Sequence, residues 1–377
     1  AIGGRAAPIA LNDVLLLPLW LMLMAFVLRG QRRWALDSTA NWTLAFIVVA
    51  AISALLAVPR YSLGAGAAFG VVAFLIRWVL YFGWFPLVVA CLDDTDVLVA
   101  WRRFDTAILL VAAFGIFQFA VLPGFAQMIH TGGEGAPEWD PQGRRVVSTF
   151  LDPNFAGIVL CIALLMRLAR VAEGLVSRHA PLAVLALALL LTVSRSSLLA
   201  LAAGIGVIII ARGLSVRLLR VFLVGAIAGL PFITLFLAFA SGFNKLRVDA
   251  SAVQRLVPWL RALELMGDHP VFGVGFNAVA WAQRARGWRV IGGAGVSLDG
   301  GLLFVGAMTG IVGLIIFSAI LVSVVRRARR LWQDGDVSAE NRAFATGTAA
   351  VTVAVVVHSF FVNSLLLPFV MQLLWVL

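Results

Sequence analysis

The sequence predicts an all-α integral membrane protein, and three observations support this fold class. Hydrophobic residues make up 62% of the 377 residues, charged residues only 12%, and the mean hydropathy is +1.02. A soluble globule of this composition would expose too much apolar surface, because polar groups are needed to keep a surface in water. The apolar residues form long runs suited to membrane-crossing helices. Arginines fall mostly at the ends of these runs, which is typical of polytopic membrane proteins.

The apolar runs predict about eleven crossings when they are compared with the roughly 20 residues that span a bilayer. They lie near residues 14–28, 43–58, 62–92, 106–122, 149–166, 181–193, 197–211, 221–240, 301–325, 343–357 and 365–377. We treat residues 1–377 as a single polytopic domain. The chain starts at Ala1 without the flanks of a signal peptide, so we expect further residues before it.

Two of these runs have unusual lengths or contents. The 62–92 run is long enough for a tilted or broken helix and carries Arg77 in its middle. An arginine at that depth is costly unless it pairs with an internal carboxylate, extends its side chain to the membrane surface or binds a lipid phosphate. All three interpretations remain open. Residues 181–211 would form a helix of about 46 Å, which is longer than the hydrocarbon core. We therefore expect two short helices joined by a turn at Ser194–Ser197.

Positive charge sorts the connecting segments into two sets. Cytoplasmic loops are enriched in Lys and Arg, so one set is predicted to be cytoplasmic: Arg29, Arg32, Arg33, Arg102, Arg103, Arg167, Arg170, Arg178, Arg212, Arg217, Arg220, Arg326, Arg327, Arg329 and Arg330. The other face then holds the 123–148 loop, the Ser194 turn, the 241–300 loop and the His358–Ser364 turn. The 123–148 loop mixes carboxylates, a tryptophan and arginines, which suits either sugar binding or a lid.

The 241–300 loop is basic although it lies on the outer side in this topology. Its cations are Lys245, Arg247, Arg255, Arg261, Arg284, Arg286 and Arg289, with Trp259, Trp281 and Trp288 among them. Positive charge is normally avoided on that side, so the segment is expected to hold anionic groups such as phosphate. The net charge of +11 does not indicate nucleic-acid binding, because the arginines sit mostly at helix ends. Cys91 and Cys161 lie in apolar runs and indicate neither a disulfide framework nor a metal site.

Four short motifs in order resemble the O-antigen ligase and Wzy-type polymerase superfamily. They are FLDPN at 150–154, TVSR at 192–195, Arg255-x-x-x-Trp259 followed by AL at 262–263 and DHPVFGVG at 268–275, and the helix from Leu302 through TGIVGL at 309–314. The resemblance covers about residues 145–315 in motif and the whole chain in hydropathy. It implies a fold similar to integral-membrane GT-C-type glycosyltransferases.

The resemblance also implies an activity. Members of this superfamily transfer a glycan from a polyprenyl diphosphate, such as undecaprenyl diphosphate, to a hydroxyl at the periplasmic face of the bacterial inner membrane, without a metal or other cofactor. Cations must then stabilise the charge that develops on the leaving diphosphate. Arginine suits this role because its guanidinium is always charged and binds phosphate in a bidentate manner. The motif resemblance implies that Arg195 and Arg255 are diphosphate ligands. Arg284, Arg286 and Arg289 contact either the diphosphate or lipid headgroups.

The acceptor hydroxyl needs a base. Ligases of this superfamily place a histidine where this chain has Asp299, so the resemblance favours the polymerase branch, with Asp299 as the base. Asp299 could instead cap the helix that begins near residue 301. Further binding candidates carry similar alternatives: Trp259, His269 as proton acceptor or turn residue, His358 in the cavity or in solvent, and Asn154 as sugar ligand or helix cap.

We therefore predict polymerisation of lipid-linked repeat units in exopolysaccharide, capsule or O-antigen synthesis. Its expected partners are the lipid-linked oligosaccharide, membrane lipids, a flippase and a chain-length regulator. The first alternative is an O-antigen ligase that transfers glycan to lipid A core or to a protein. A membrane transporter is the alternative from another class, although the charges cluster at the outer edge and no inverted repeat is visible.

Overall fold

The computed structural model describes residues 11–29, 37–129, 145–176, 178–213, 250–288 and 298–377, and these residues contain helices and no strands. The α-helices are α1 (Leu11–Leu28), α2 (Ser38–Arg60), α3 (Ala65–Phe82), α4 (Trp84–Cys91), α5 (Asp94–Val121), α6 (Phe125–Ile129), α7 (Pro153–Ala172), α8 (Ala180–Leu191), α9 (Arg195–Ala211), α10 (Ala250–Asp268), α11 (Val279–Ala285), α12 (Gly301–Gln333), α13 (Ala339–Ser359) and α14 (Pro368–Val376). Short 3₁₀ turns lie at Ser148–Phe150 and Ser364–Leu366.

Six helical stretches in the described ranges are long and apolar enough to cross a membrane. They are Ser38–Arg60, Ala65–Cys91, Thr95–Val121, Pro153–Ala172, Gly301–Gln333 and Ala339–Ser359. The prediction of an all-α, multi-pass membrane protein is thus confirmed. Shorter apolar helices cover Val14–Ala25, Ala180–Leu191 and Arg195–Ala211, whereas the crossing predicted at 221–240 lies outside the described residues.

Several helices extend further than the apolar runs suggested. Arg102 and Arg103 lie inside α5, Arg167 and Arg170 inside α7, and the cluster 326–330 inside α12, although all were predicted in loops. Arginine is a good helix former, so the apolar limit of a run does not end the helix. The 241–300 segment likewise contains α10 and α11 and is not a continuous loop.

The chain divides into two compact units. Unit 1 comprises Ala1–Leu98, Asp249–Ser323 and Ser359–Leu377, and unit 2 comprises Val99–Val248 and Val324–His358. In unit 1, α3 packs against α1, α2, α4 and α14. Its core includes an aromatic cluster in which Trp78 contacts Phe46 and Trp375 at ring distances of 5.1 and 5.9 Å.

The 62–92 run, which was predicted to be a tilted or broken helix, divides at Gly83 into α3 and α4. The Trp20 side chain packs against Gly83 so closely that a side chain there would overlap the indole. Trp20 Nε1 donates a hydrogen bond of 3.1 Å to the Leu80 carbonyl, which lies in the last turn before the break. The break is therefore stabilised by a donor from α1, which satisfies a carbonyl near the helix end.

Helix α12 is interrupted near Gly310, and the glycine-rich motif at 268–275 packs against the interruption. Gly310 has φ 68° and ψ −170°, a conformation essentially restricted to glycine. The Val274 and Gly275 N–H groups donate to the Ala307 and Met308 carbonyls at 2.9 and 3.1 Å, and Ile311 N–H donates to the Pro270 carbonyl at 2.7 Å. The motif thus completes the backbone hydrogen bonding of a broken helix.

Unit 2 is built around α7, which packs against α8 and α9. Residues 156–166 of α7 are all buried. Gly157 allows α9 to approach closely, because a Cβ there would overlap Ser197, and Gly347 of α13 lies against Met166 in the same way. Ion pairs join α7 and the residue that follows it to neighbouring helices: Arg167 with Asp105, Arg170 with Glu340, and Glu173 with both Arg212 and Arg342.

Candidate functional site

The turn between α8 and α9 begins the site in unit 2. As predicted, residues 181–211 form two short helices, with Thr192, Val193 and Ser194 between them. Ser194 is the N-cap of α9, where its hydroxyl accepts from the Ser197 N–H. The Thr192 hydroxyl donates to the Leu189 carbonyl at 2.7 Å and accepts from the Ser194 N–H at 3.2 Å. The Thr and Ser of the motif thus end one helix and start the next.

A buried network of hydroxyls surrounds this turn. The Ser194 hydroxyl donates to Asn154 Oδ1 at 2.9 Å and lies 3.1 and 2.9 Å from the hydroxyls of Ser196 and Ser197. Both of these hydroxyls lie 3.1 Å from His358 Nε2. His358 is completely buried in the last turn of α13. The expectation that it lies in an outer turn is therefore wrong, because α13 continues to Ser359.

Arg195 is the first residue of α9 and is exposed, while Ser194, Ser196 and Ser197 around it are buried. The N-terminus of a helix carries a partial positive charge from its unsatisfied N–H groups. The guanidinium therefore adds a full positive charge where a helix already favours anions. This arrangement suits the binding of a phosphate or diphosphate.

The segment before α7 supports the same turn. Arg145 is buried, and its Nε donates to the Thr192 carbonyl at 2.8 Å. The buried Gln118 side chain accepts from the Val147 and Ser148 N–H groups and donates to the Arg145 carbonyl. The 145–152 segment is thereby fixed to α5 and to the turn.

Asp152, and not Asn154, caps α7. Asp152 Oδ1 accepts from the Asn154 and Phe155 N–H groups at 2.7 and 3.1 Å. Burial raises the pKa of the Asp152 carboxyl, while those two hydrogen bonds and nearby Arg145 partly oppose the rise. The Asn154 side chain instead accepts from Ser194, so it belongs to the network around Arg195.

In unit 1, Asp299 lies between two residues that are held in place. The Asn363 side-chain amide donates to the carbonyl of the buried Leu298. Gly300 has φ +94°, and a Cβ there would lie 3.0 Å from the Trp259 ring. The Gly300 carbonyl accepts from the Phe304 N–H at 2.8 Å, so Gly300 is the residue that immediately precedes α12. Asp299 lies one residue further out and is half-buried.

Trp259, the tryptophan of the Arg255 motif, holds this part of the chain in place. Its Nε1 donates to the Phe360 carbonyl at 2.9 Å, and its ring centroid lies 6.3 Å from that of Phe361. Trp259 therefore joins α10 to two other segments: the residues just before α12 and the residues just after α13. Arg255 lies one turn earlier in α10, where only its backbone is described.

The other cations of the long segment have different surroundings. Arg286 forms ion pairs with Glu264, at 3.0 Å, and with Asp268, and its Cζ lies 4.8 Å from the Trp288 ring centroid. Two carboxylates therefore already neutralise much of its charge. Arg284 is exposed in the last turn of α11, and Arg289 lies outside the described residues.

His269 and Arg77 complete the predicted residues. Burial and the nearby Arg60 lower the pKa of the His269 imidazole, and Asp268 opposes this effect. The ring is therefore neutral near pH 7, and its backbone carbonyl accepts from the Gly273 N–H at 2.8 Å. Arg77 is half-buried in α3, with its Cζ 5.3 Å from the Phe74 ring centroid.

The structure thus gathers Arg195, Asn154 and His358 in unit 2, and Asp299 and Trp259 in unit 1. Sequence reasoning placed Arg145 in the 123–148 loop and Asp152 in the 150–154 motif but missed their supporting roles, and it missed Gln118, Phe360 and Asn363 altogether. The Asp152-Pro153 pair is a recognisable helix start, with an N-cap residue before a first-turn proline. The others act over long sequence separations that no local pattern reveals.

The fold and these clusters define an all-α integral membrane protein with polar, cation-bearing helix turns. The O-antigen ligase family model, Wzy_C, matches residues 180–318, which include the Ser194 turn, Trp259, Asp299 and the interrupted α12. This match confirms the predicted resemblance to the O-antigen ligase and Wzy-type polymerase superfamily over residues 180–318, and the motif at 150–154 lies outside the matched region. A comparison with curated proteins found no match.

Proposed function

We propose that this protein is a membrane glycosyltransferase that transfers a glycan from a polyprenyl diphosphate to a hydroxyl acceptor. The family match supports a ligase- or polymerase-type activity. In the proposed step, the acceptor oxygen attacks the anomeric carbon, and the bond from that carbon to the diphosphate oxygen breaks. The diphosphate leaves with the electron pair, and the acceptor proton passes to a carboxylate of the protein.

The observation that carries this proposal is the geometry of the turn at Arg195. An exposed guanidinium stands at the N-terminus of a 17-residue helix, on a turn whose hydroxyls are buried and hydrogen-bonded. Such a preorganised cation stabilises charge as it develops on a leaving group, because no reorganisation is needed during the reaction. Arg255, from the second arginine motif, is proposed as the other diphosphate ligand.

Asp299 is the proposed base. The contacts of Leu298 and Gly300 with Asn363 and Trp259 support this role, because they fix the backbone on both sides of the carboxylate. Gly300 occupies the position next to α12, which weakens the alternative that Asp299 is only a cap. The binding roles of Arg284, Arg289 and Arg77 remain part of the same proposal.

We propose polymerisation of lipid-linked repeat units over ligation, because Asp299 stands where ligases of this superfamily have histidine. The matching family is named after O-antigen ligase, which favours the alternative, ligation. Deletion of the gene, followed by analysis of the surface glycans, distinguishes a polymerase from a ligase. Loss of long polymer with single repeat units still attached to their acceptor supports a polymerase, whereas accumulation of long lipid-linked polymer supports a ligase.

The proposed topology has about eleven crossings, with the 241–300 segment in the periplasm of a bacterial inner membrane. A flippase would supply the substrate, and a chain-length regulator would act on the product. Cysteine at Ser251 should react with an impermeant thiol reagent in cells with a permeabilised outer membrane, and cysteine at Gln333 should not. Equal labelling of the two would overturn this orientation.

Arginine variants test the donor site directly. Arg195→Ala and Arg255→Ala should each lower glycan transfer on the order of 10²-fold or more, because each removes a preorganised cation. Arg329→Ala, which removes an exposed arginine from the end of α12, should leave transfer near wild type. Normal transfer by Arg195→Ala would overturn the proposed site. Protein levels in the membrane should be equal in all variants.

The base is tested by Asp299→Asn. A positioned base contributes about 10²–10⁴-fold, so the rate should fall by at least about 10²-fold. The amide keeps the size of the side chain and one acceptor oxygen, but it accepts no proton at neutral pH. A variant with near wild-type turnover would refute the assignment of Asp299.

A further inference from the structure

His358 lies at the centre of the network beneath Arg195. Its Nε2 lies 3.1 Å from the hydroxyls of both Ser196 and Ser197, and its side chain has no exposed surface. The Ser194 hydroxyl also contacts the hydroxyls of Ser196 and Ser197, and it donates to Asn154 of α7. The first turn of α9 is therefore attached to two other helices, α7 and α13.

This attachment acts on the backbone that carries Arg195. Ser194 and Ser196 are the direct neighbours of Arg195 in the chain, and both of their side chains are hydrogen-bonded below the surface. Fixing these neighbours fixes the backbone at residue 195 and limits where its guanidinium can reach. The benefit of a preorganised charge depends on such support, because a displacement of about 1 Å can cost on the order of 10²-fold in rate.

We infer that His358 is a positioning residue for Arg195 and that it takes no proton from substrate. This inference rests on the function proposed above and concerns only the Arg195 turn of unit 2. Complete burial prevents His358 from meeting an acceptor hydroxyl. Its Nε2 instead organises two serines that belong to the turn.

Two substitutions separate positioning from proton transfer. In His358→Gln, the side-chain amide reaches the place of Nε2, so the hydrogen bonds to the serines can be kept without a titrating group. In His358→Asn, the shorter amide corresponds to Nδ1 and cannot reach those hydroxyls. Thr352→Val is the matched control, because Thr352 is buried in the same helix and its hydroxyl donates to the Thr348 carbonyl of that helix at 2.8 Å.

The measured quantity is the Kd of undecaprenyl diphosphate for the purified full-length protein in nanodiscs. Undecaprenol, which lacks the charged diphosphate, is the control ligand. Arg195→Ala should weaken diphosphate binding by about 10–100-fold, the range expected for one charged hydrogen-bonding group. His358→Asn should weaken it by about tenfold, while His358→Gln and Thr352→Val should stay within about threefold of wild type. Undecaprenol binding should change in none of them.

The double variant Arg195→Ala/His358→Asn decides between positioning and general destabilisation. If His358 acts through Arg195, the double variant should bind no more weakly than Arg195→Ala alone, because coupled residues give non-additive effects. Additive losses, or a His358→Gln variant as defective as His358→Asn, would overturn this inference and leave the proposed function intact. Wild-type diphosphate binding by Arg195→Ala would overturn the proposed donor site itself.

Discussion

The interruption of α12 at Gly310 allows a quantitative prediction for Gly310→Ala. At φ 68° and ψ −170° the alanine would occupy a region that is essentially restricted to glycine, at a cost of about 1–3 kcal/mol. Its Cβ would also overlap the backbone carbonyl of Val271. Relief of that overlap requires residues 270–275 to move away from the interruption.

This movement would disturb the backbone hydrogen bonds that close the interruption. Ile311 N–H donates to the Pro270 carbonyl at 2.7 Å, and Val274 N–H donates to the Ala307 carbonyl at 2.9 Å. Each such bond contributes about 0.5–1.5 kcal/mol net. With the conformational cost, Gly310→Ala should lower the free energy of unfolding by about 2–6 kcal/mol.

Equilibrium unfolding of the purified protein in mixed dodecyl maltoside and SDS micelles measures this change. Gly267→Ala is the matched control, since Gly267 lies in α10 with nothing within 4 Å of its Cβ position. That substitution should be neutral or stabilise the protein by up to about 1 kcal/mol. A Gly310→Ala protein as stable as wild type, or equal losses in both variants, would refute the reasoning.

Two further predictions concern the residues that hold the site. Trp259→Phe removes the donor to the Phe360 carbonyl and should cost about 0.5–1.5 kcal/mol of unfolding free energy together with a loss of glycan transfer, whereas Trp42→Phe, at an exposed tryptophan, should change neither. Unchanged transfer by Trp259→Phe would contradict its role beside Asp299. Asp152 has a folded-state pKa above 3.8, so its contribution to stability is present below that value and is lost as the pH rises through the folded pKa. Asp152→Asn still caps α7 but cannot ionise, so its stability relative to wild type should increase from about pH 4 upward. A pH-independent difference in unfolding free energy would show that the carboxyl of Asp152 is not perturbed.

The helical membrane class and the interruption of the 181–211 run could be predicted from the sequence, whereas the interruption at Gly310 was not predicted. Composition and run length determine whether a segment can be buried in lipid, and a run that is too long or that contains a polar Ser-Arg-Ser sequence must be interrupted. The turn at Ser194 is an example, whereas the 62–92 run was predicted only to be tilted or broken, without a position for the division at Gly83. Helix ends were predicted less well, since arginines such as Arg102 and Arg170 continue their helices beyond the apolar limit.

The candidate site was predicted only in part, for a physical reason. Arg195 and Trp259 were found through motifs, but what those motifs do depends on contacts with distant parts of the chain. His358 is 162 residues from Ser196, and Phe360 is 101 residues from Trp259. Pairings of this kind depend on how helices pack and leave no trace in local periodicity. The structural role of the glycine-rich motif at 268–275 likewise becomes clear only when the motif is seen to pack against the interruption in α12.

The burial of α7 has a consequence for how the protein is made. Eleven consecutive residues, 156–166, have no exposed side in unit 2, and Gly347 of α13 lies against Met166. Helices α8 and α9 follow α7 directly, but α13 is made much later, so the face of α7 around Met166 meets lipid first and exchanges that lipid for protein only when α13 has been inserted. A chain that ends before Ala339 would therefore insert α7 and leave one of its faces in lipid. Membrane quality control could distinguish such an incomplete chain from the finished protein by that face.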